Sequence, residues 1–249
     1  MGAVTLEVVD AVALLTISSP EVRNGLTAEM GRQLAGHCET IDGDLSIGAA
    51  VIRGDAGTFC SGADTRNWKI NADPASEEAY ASTTAVYEAF IRVGQLKVPT
   101  VAAVRGAAAG AGMNLFLATD LRVVATNARL IAGFLRIGVH PGGGFFTLVG
   151  RTAGREAAAA LGLFGEEVSG EEAVALGLAW QAVQDDKVEG RAMELARKSA
   201  SDPELVRHAV ASYRTELGPP PISWPAAVEM ERGIQMWSLR RRQLRAQDD

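Results

Sequence analysis

Two turns built from small residues constrain this chain more than any other feature of its sequence. Phe59–Asp64 reads Phe-Cys-Ser-Gly-Ala-Asp, Gly106–Gly112 reads Gly-Ala-Ala-Ala-Gly-Ala-Gly, and each follows a strand-like run. Small residues let backbone N–H groups approach a ligand closely, and the apolar helix that follows the second turn adds the positive end of its dipole. Two such turns that meet in space would hold an oxygen atom that becomes negative during a reaction.

Strand-like and helix-like runs alternate along the chain, and helical patterns dominate after about residue 150. Strands that alternate with helices are typical of a parallel sheet with helices on its faces, so the sequence predicts an α/β fold. The predicted strands are Thr5–Val9, Val12–Ile17, Ala49–Arg53, Thr100–Val104, Leu121–Ala125 and Ala179–Val183. The predicted helices are Thr27–Cys38, Pro74–Val93, Ala111–Ala118, Arg155–Leu163, Gly170–Leu176, Glu189–Ala200, Pro203–Thr215 and Ala226–Leu244.

Composition limits the classes of function. The chain has 249 residues, 47% of them hydrophobic, which fits one sizeable domain, and a net charge of −6, which argues against general binding to nucleic acid or to a membrane surface. The stretch nearest to a membrane span, Ala102–Ala118, is interrupted by Arg105 and Asn114. Cys38 and Cys60 lack metal-site spacing, and the N-terminus reads as a strand rather than a signal peptide. We therefore expect a cytoplasmic protein with no disulfide and no metal.

Three other enzyme classes lack their motifs here. A serine hydrolase needs a Gly-x-Ser-x-Gly elbow, and Ser61 has none around it. A dinucleotide-binding turn needs a third glycine, which is absent after Gly110 and Gly112, and a P-loop needs a lysine that neither turn carries.

Five segments, in the right order, resemble the enoyl-CoA hydratase/isomerase (crotonase) family. Ser19–Leu26 is similar to that family's Pro…Arg-Asn-Ala-Leu segment, and Phe59–Asp64 is similar to its Phe-Cys-Ala-Gly-Ala-Asp turn. Val98–Val104 resembles its Lys-Pro-Val-Ile-Ala-Ala-Val strand, and Gly138–Gly144 resembles its Gly-x-x-Pro-x-x-Gly loop. Gly165–Val183 resembles its Glu-Ala-x-x-x-Gly-Leu-Val block, so the resemblance covers nearly the whole chain.

The resemblance implies an architecture. The family folds as a spiral of ββα units, here residues 1–200 with the acyl-CoA site, followed by a C-terminal helical region, residues 201–249, in the same structural unit. That region makes trimer contacts in the family, so we expect a homotrimer or a dimer of trimers. The apolar face of the last helix, with Met230, Ile234 and Trp237, would pack against a neighbouring chain.

The resemblance also implies a thioester site. By motif position, the backbone N–H groups of Ala63 and Ala111 would bind the thioester oxygen of an acyl-CoA substrate. CoA would be part of that substrate, and no tightly bound cofactor is expected. Asp64 reads as a catalytic carboxylate or, in the interpretation that we favour, as a residue that fixes the loop; Arg66 would contact CoA phosphates or would simply be exposed. The residues expected along the CoA path are Ser61, Ala63, Asp64, Thr65 and Arg66.

Two departures from the family bear on the reaction. Hydratases of the family carry two glutamates, and these positions hold Asn114 and Phe134 here. Hydration needs one group that activates water and another that delivers a proton to carbon. An amide cannot accept a proton near neutral pH and a phenyl ring can do neither job. Two-glutamate hydration is therefore not expected, while Asn114 could still contact substrate or water through a hydrogen bond.

His140 is the candidate that could replace a lost acid or base. It lies in the loop that borders the acyl pocket in the family, and its imidazole could move a proton at neutral pH. A histidine before proline can also be an ordinary packed or exposed residue, which is the interpretation that we favour. The residues expected around the acyl group are Trp68, Met113, Phe134 and Gly142.

The sequence therefore predicts an enzyme that stabilises a thioester enolate in a backbone oxyanion hole. Double-bond isomerisation, thioester hydrolysis and decarboxylation remain open as reactions. The alternative is a catalytically inactive acyl-CoA-binding protein, because the same N–H groups would bind an acyl-CoA that does not react.

Overall fold

The computed structural model of the protein describes residues 2–66, 73, 76–217 and 224–248. Strands and helices alternate as predicted, which confirms the α/β class. The strands are β1 (Ala3–Val9), β2 (Val12–Ser18), β3 (Ala49–Gly54), β4 (Thr100–Val104), β5 (Ala107–Ala109), β6 (Leu121–Ala125), β7 (Arg129–Ile131), β8 (Glu167–Ser169) and β9 (Gln181–Val183). The helices are α1 (Ala28–Gly43), α2 (Glu77–Gly94), α3 (Ala111–Ala118), α4 (Phe145–Gly162), α5 (Gly170–Ala175), α6 (Val188–Ala200), α7 (Pro203–Leu217) and α8 (Trp224–Asp248).

The larger sheet has the order β1-β2-β3-β4-β6-β9. β1 and β2 form the predicted antiparallel hairpin, and its turn residues Asp10 and Ala11 both have positive φ, 52° and 60°, as a two-residue type I′ turn requires. The other neighbouring strands are parallel. β4 is buried at all of its positions, and α6 packs against it.

A second, smaller sheet has the order β5-β7-β8. β5 runs parallel to β7, and β8 is antiparallel to β7. The sequence pattern predicts a glycine-rich turn at Ala107–Ala109 and neither β7 nor β8. Strands of three residues are too short to show an alternating pattern, so their pairing depends on partners far away in the sequence.

The predicted helices are present, and α1 and α4 differ most from their predicted extent. The side chain of Thr27 accepts a hydrogen bond from Met30 N and so caps α1, as expected, but α1 continues to Gly43. α4 begins at Phe145, ten residues before the predicted start, and non-helical angles at Gly154 (φ 84°, ψ 173°) divide it. The prediction therefore found only the second part of α4.

The C-terminal helices are joined to the core through specific contacts. The predicted division between residues 200 and 201 falls between α6 and α7. On α7, Arg207 donates hydrogen bonds to carbonyl oxygens around the C-terminal end of α1, which otherwise lack helical partners. These acceptors belong to Ile41, Asp42, Asp44 and Ile47. Within the described part of the chain, no helix is long and apolar enough to cross a bilayer.

Candidate active site

The two small-residue turns meet, backbone against backbone. Cys60 N donates to Ala107 O at 3.1 Å, and Ala109 N donates to Cys60 O at 2.9 Å. A Cβ added at Gly62 would lie 2.9 Å from Ala109 O, and one added at Gly112 would lie 2.3 Å from Cys60 O. Residues without side chains are therefore required at these two positions for the turns to come this close.

Each turn presents one N–H group that is not used by the fold. Leu26 pairs with the first turn through Gly62 O and Asp64 N, so the intervening N–H of Ala63 faces away from Leu26. Ala111 is the first residue of α3, where an N–H has no partner inside the helix. Within the described residues neither N–H donates a hydrogen bond. Both residues line the same cavity, so the fold supplies two free donors at one site.

The cavity has a volume of about 420 Å³. Its described lining includes most of the residues that the sequence predicted, namely Ser61, Ala63, Asp64, Thr65, Ala111, Asn114, Phe134 and Gly142. Met113 is completely buried and does not belong to this lining, and neither does Arg66. Trp68 lies outside the described residues.

His140 is not among the described residues that line the cavity. Its Nδ1 lies 2.6 Å from Pro141 O, and its own carbonyl oxygen accepts a hydrogen bond from Gln235 Nε2 at 3.3 Å. The position of His140 is therefore set by contacts of the loop and of α8, and the structure does not bring its ring together with Ala63 and Ala111.

An ion pair fixes the first turn beside the cavity. Asp64 Oδ2 lies 2.7 Å from Arg66 Nη2, and Asp64 Oδ1 accepts a hydrogen bond from Arg66 N at 3.0 Å. The Arg66 guanidinium lowers the pKa of the Asp64 carboxyl, so this group is a carboxylate at neutral pH. Ser61 Oγ donates to Val22 O at 2.7 Å. Both polar side chains of the turn are thus occupied in holding the loop.

Asn114 and Phe134, which the sequence predicts at the two glutamate positions of the hydratases that it resembles, both line the cavity. The Asn114 amide nitrogen donates to Gly142 O at 2.9 Å and to Gly143 O at 2.8 Å, whereas Oδ1 is buried and has no partner in the described part of the structure. The Phe134 ring packs edge-on against Phe145, with 5.3 Å between the ring centroids. Neither side chain can exchange a proton with a ligand near neutral pH.

The carboxylates that line the cavity each form an ion pair with an arginine. Among the described lining residues, these carboxylates are Glu29 and Asp64. Glu29 is exposed and pairs with Arg32 at 2.7 Å, and Asp64 pairs with Arg66. The part of the chain that the structure describes contains no group of three or more His, Cys, Asp or Glu side chains that could hold a metal ion.

The last helix, α8, packs over the cavity of its own chain. Trp224 stacks on Phe90 with 6.2 Å between centroids, and its Nε1 donates to Gly143 O at 3.2 Å. Further along α8, Gln235 and Leu239 line the cavity. The side chains of Met230, Ile234 and Trp237, which the sequence analysis assigned to an apolar oligomer face, lie outside the described ones. The described side chains of α8 therefore pack against the cavity of the same chain.

Sequence reasoning missed Tyr87 and Gln235 as site residues. Both approach Gly142 so closely that a Cβ there would lie 2.3 Å from Tyr87 Oη and 2.0 Å from Gln235 Nε2. Arg232 of α8 lies 5.4 Å above the Tyr87 ring and 4.6 Å above the Tyr80 ring. Tyr87 fits the apolar spacing of α2 and so resembles a core residue, and nothing near Gln235 in the sequence distinguishes it.

The fold is of the crotonase type, and comparison with known proteins agrees. The family profile described as "Enoyl-CoA hydratase/isomerase" matches residues 7–232. The chain therefore belongs to the enoyl-CoA hydratase/isomerase (crotonase) family and is an enzyme of that family that acts on acyl-CoA thioesters.

Particular relatives extend this comparison. Probable enoyl-CoA hydratase EchA14 of Mycobacterium tuberculosis is 39% identical over 218 residues, which cover 87% of this chain and 83% of the relative. The 1,2-epoxyphenylacetyl-CoA isomerase of Escherichia coli is 32% identical over 209 residues, which cover 82% of this chain and 80% of that protein. The crystal structure of an enoyl-CoA hydratase from Polaromonas sp. JS666 matches with a TM-score of 0.82 and 26% identity, over 94% of this chain and 91% of the other. The predicted crotonase-like fold is confirmed.

Proposed function

We propose that the protein binds an acyl-CoA with the thioester carbonyl oxygen between the backbone N–H groups of Ala63 and Ala111. The observation that carries this proposal is the pair of unused N–H donors on two turns that meet at one cavity wall. An oxygen held there would be stabilised most when it becomes negative, as in an enolate next to the thioester. The positive end of the α3 dipole adds to this effect.

We further propose that the reaction is not hydration by two glutamates. Loss of a catalytic acid or base typically forfeits about 10²–10⁴ in rate, and both positions are altered here, to Asn114 and Phe134. His140 is given no proton-transfer role, since it does not belong to the described cavity lining. The enolate chemistry that remains comprises double-bond isomerisation, thioester hydrolysis and decarboxylation. Family membership, with an isomerase among the relatives, supports chemistry of this kind.

The experiment is to incubate the protein with enoyl-, β-keto- and malonyl-type CoA esters and to follow the products by mass spectrometry. We expect turnover of at least one ester, together with very slow crotonyl-CoA hydration. The single variant Asn114→Glu should not restore hydration, because the second glutamate is still absent. Hydration of crotonyl-CoA by the unmodified protein at an ordinary enzymatic rate would refute the proposal. In that case His140→Ala would be the first variant to compare.

The CoA moiety is proposed to enter along Ser61, Asp64, Thr65 and Arg66. The Arg66 side chain keeps 56% of its surface exposed although it is paired with Asp64, so its free edge can meet a phosphate. Arg66→Gln should weaken acyl-CoA binding mainly at low salt, since an exposed charge contact is screened by ions. Equal weakening at high salt would indicate disruption of the loop instead.

We propose a homotrimer or a dimer of trimers as the assembly. Besides family membership, the support is a surface where Leu135, Leu163 and Phe164 are 50%, 57% and 80% exposed. Leu135, Gly162 and Gly165 border one small cleft, and Leu163 and Phe164 lie between those two glycines in the chain, so the three apolar side chains belong to one region of the surface. Light scattering at micromolar concentration should give a trimer mass or a multiple of it, and Phe164→Asp should reduce that mass. A monomer mass for the unmodified protein would overturn this proposal.

A further inference from the structure

The orientation of the Asn114 side chain is fixed by its neighbours. Its amide nitrogen has two N–H groups, and both are used, one on Gly142 O and one on Gly143 O. Turning the amide over would place Oδ1 against two carbonyl oxygens and would leave the nitrogen without an acceptor. The hydrogen-bond network therefore assigns the oxygen, rather than the nitrogen, to the free side of the amide.

That oxygen is a buried acceptor without a donor. Asn114 is 1% exposed, and its Oδ1 has no hydrogen-bond partner in the described part of the structure. Buried acceptors are almost always satisfied in folded proteins, so an exception calls for an explanation. Asn114 forms part of the cavity wall, so a ligand in the cavity can supply the missing donor.

The position of Asn114 relative to Ala111 limits where that donor can lie on a ligand. The two residues are three apart on α3, which puts them on the same face of the helix, about 4.5 Å apart along its axis. If Ala111 N holds the thioester oxygen, Asn114 lies near the carbons next to the carbonyl group rather than near the end of a long acyl chain.

We infer that Asn114 Oδ1 accepts a hydrogen bond from a hydroxyl group on the β- or γ-carbon of the acyl group. The inference deepens the proposed function and rests on it, because it assumes the carbonyl position at Ala63 and Ala111. A plain acyl or enoyl chain carries no donor and leaves the oxygen unsatisfied. A carboxylate at this place would set negative oxygen against oxygen. The preferred substrate class is thus a hydroxyacyl-CoA, and malonyl-type esters are disfavoured.

Changing the ligand tests this without changing the protein. Calorimetric titration of the full chain compares butyryl-CoA, 3-hydroxybutyryl-CoA, 4-hydroxybutyryl-CoA and free CoA. The better of the two hydroxylated ligands should bind about 5- to 30-fold more tightly than butyryl-CoA. The matching methoxybutyryl-CoA, which can accept but cannot donate a hydrogen bond, should lose this advantage. A methoxy ligand that binds as tightly as the hydroxy ligand would overturn the inference.

Two variants complete the test. Asn114→Leu has a similar shape and no acceptor, so the ratio of hydroxybutyryl-CoA to butyryl-CoA affinity should fall to near one. Thr119→Val is the matched control, because Thr119 is a buried polar residue next to α3. Its hydroxyl group bonds to Phe116 O and Leu121 O and to no other described residue. This variant should keep the ratio. If Asn114→Leu does not fold, the ligand series on the unmodified protein decides alone.

The outcomes separate the inference from the proposed function. Tight binding of butyryl-CoA with no preference for either hydroxylated ligand would overturn the Asn114 inference and leave the carbonyl site intact; a water molecule on Oδ1 would give this result. Failure of every acyl-CoA to bind better than free CoA would overturn both. A preference that persists in Asn114→Leu would assign the hydroxyl group to another partner.

Discussion

Replacing Gly112 by alanine should separate the two turns that form the proposed oxyanion site. Gly112 is the second residue of α3, and an added Cβ would lie 2.3 Å from Cys60 O and 3.0 Å from Cys60 Cβ. Ordinary van der Waals contact begins at 3.4 Å, so the backbones must move apart by about 1 Å. If both N–H groups, of Ala63 and of Ala111, bind the carbonyl oxygen at an ordinary distance of about 2.9 Å, one of these hydrogen bonds is broken when the turns separate by this amount. The carbonyl would then lose one of its two donors.

The expected effects follow from that displacement. Overpacking should lower the free energy of unfolding by about 1–3 kcal/mol. Loss of one donor should weaken butyryl-CoA binding about 2- to 10-fold, while binding of free CoA, which has no thioester carbonyl, should change little. Turnover should fall more steeply, by about 10²–10³, because the donors matter most in the transition state. Calorimetry with both ligands and urea denaturation measure these quantities.

Gly190→Ala is the matched control for this variant. Gly190 lies on α6, and a Cβ there would meet nothing within 4 Å. The same chemical change should be neutral or should stabilise the protein by up to about 1 kcal/mol, because alanine favours helix. The reasoning would be refuted if Gly112→Ala kept both the stability of the unmodified protein and its preference for butyryl-CoA over free CoA.

Three further predictions concern stability and reactivity. Burial raises the pKa of the Cys38 and Cys60 thiols to about 12, so a thiol reagent at pH 8 should label neither in the folded protein and both in denaturant; rapid labelling of the folded protein would contradict this. The pKa of Asp64 is lowered by Arg66, so its stabilising effect is present above the carboxyl pKa of the unfolded chain and is lost as the pH falls through the folded value. Asp64→Asn should therefore lower the free energy of unfolding by less than about 1 kcal/mol at pH 7, and this loss should shrink as the pH is lowered, whereas an equal loss at every pH would point to packing. In Arg207→Lys, the lysine ammonium group cannot donate to all the carbonyl oxygens at the end of α1 that Arg207 binds. The free energy of unfolding, measured by urea denaturation, should therefore fall by about 1–3 kcal/mol. An unchanged value would show that water replaces these hydrogen bonds.

Local patterns in the sequence predicted the parts of the site that one segment forms by itself. The bounds of α3 were predicted at Ala111 and Ala118, because the small turn, the free helix start and the apolar run are adjacent in the chain. Met113 was expected in the acyl pocket but is buried elsewhere. Helix geometry supplies the reason, since Asn114 shares a face with Ala111 whereas Met113 is turned about 100° away from Asn114.

Contacts between distant segments could not be predicted in this way. The pairing of β5 with β7 and the approach of Tyr87 and Gln235 to Gly142 join residues that lie between 22 and 93 positions apart. No period or motif encodes such contacts, because they depend on how complete elements pack. The same limit applies to His140, whose ring position is set by Pro141 O and whose backbone meets α8.

The placement of α8 divides the site into two parts that can change separately. The groups proposed to hold the carbonyl are backbone N–H groups on turns in the first half of the chain, and a side-chain substitution does not remove them directly. The same cavity receives Gln235 and Leu239 from one helix near the other end of the chain. New acyl specificities could therefore arise, in evolution or in the laboratory, through changes confined to one face of α8. Variant libraries aimed at that face would explore substrate choice while leaving the carbonyl-binding turns untouched.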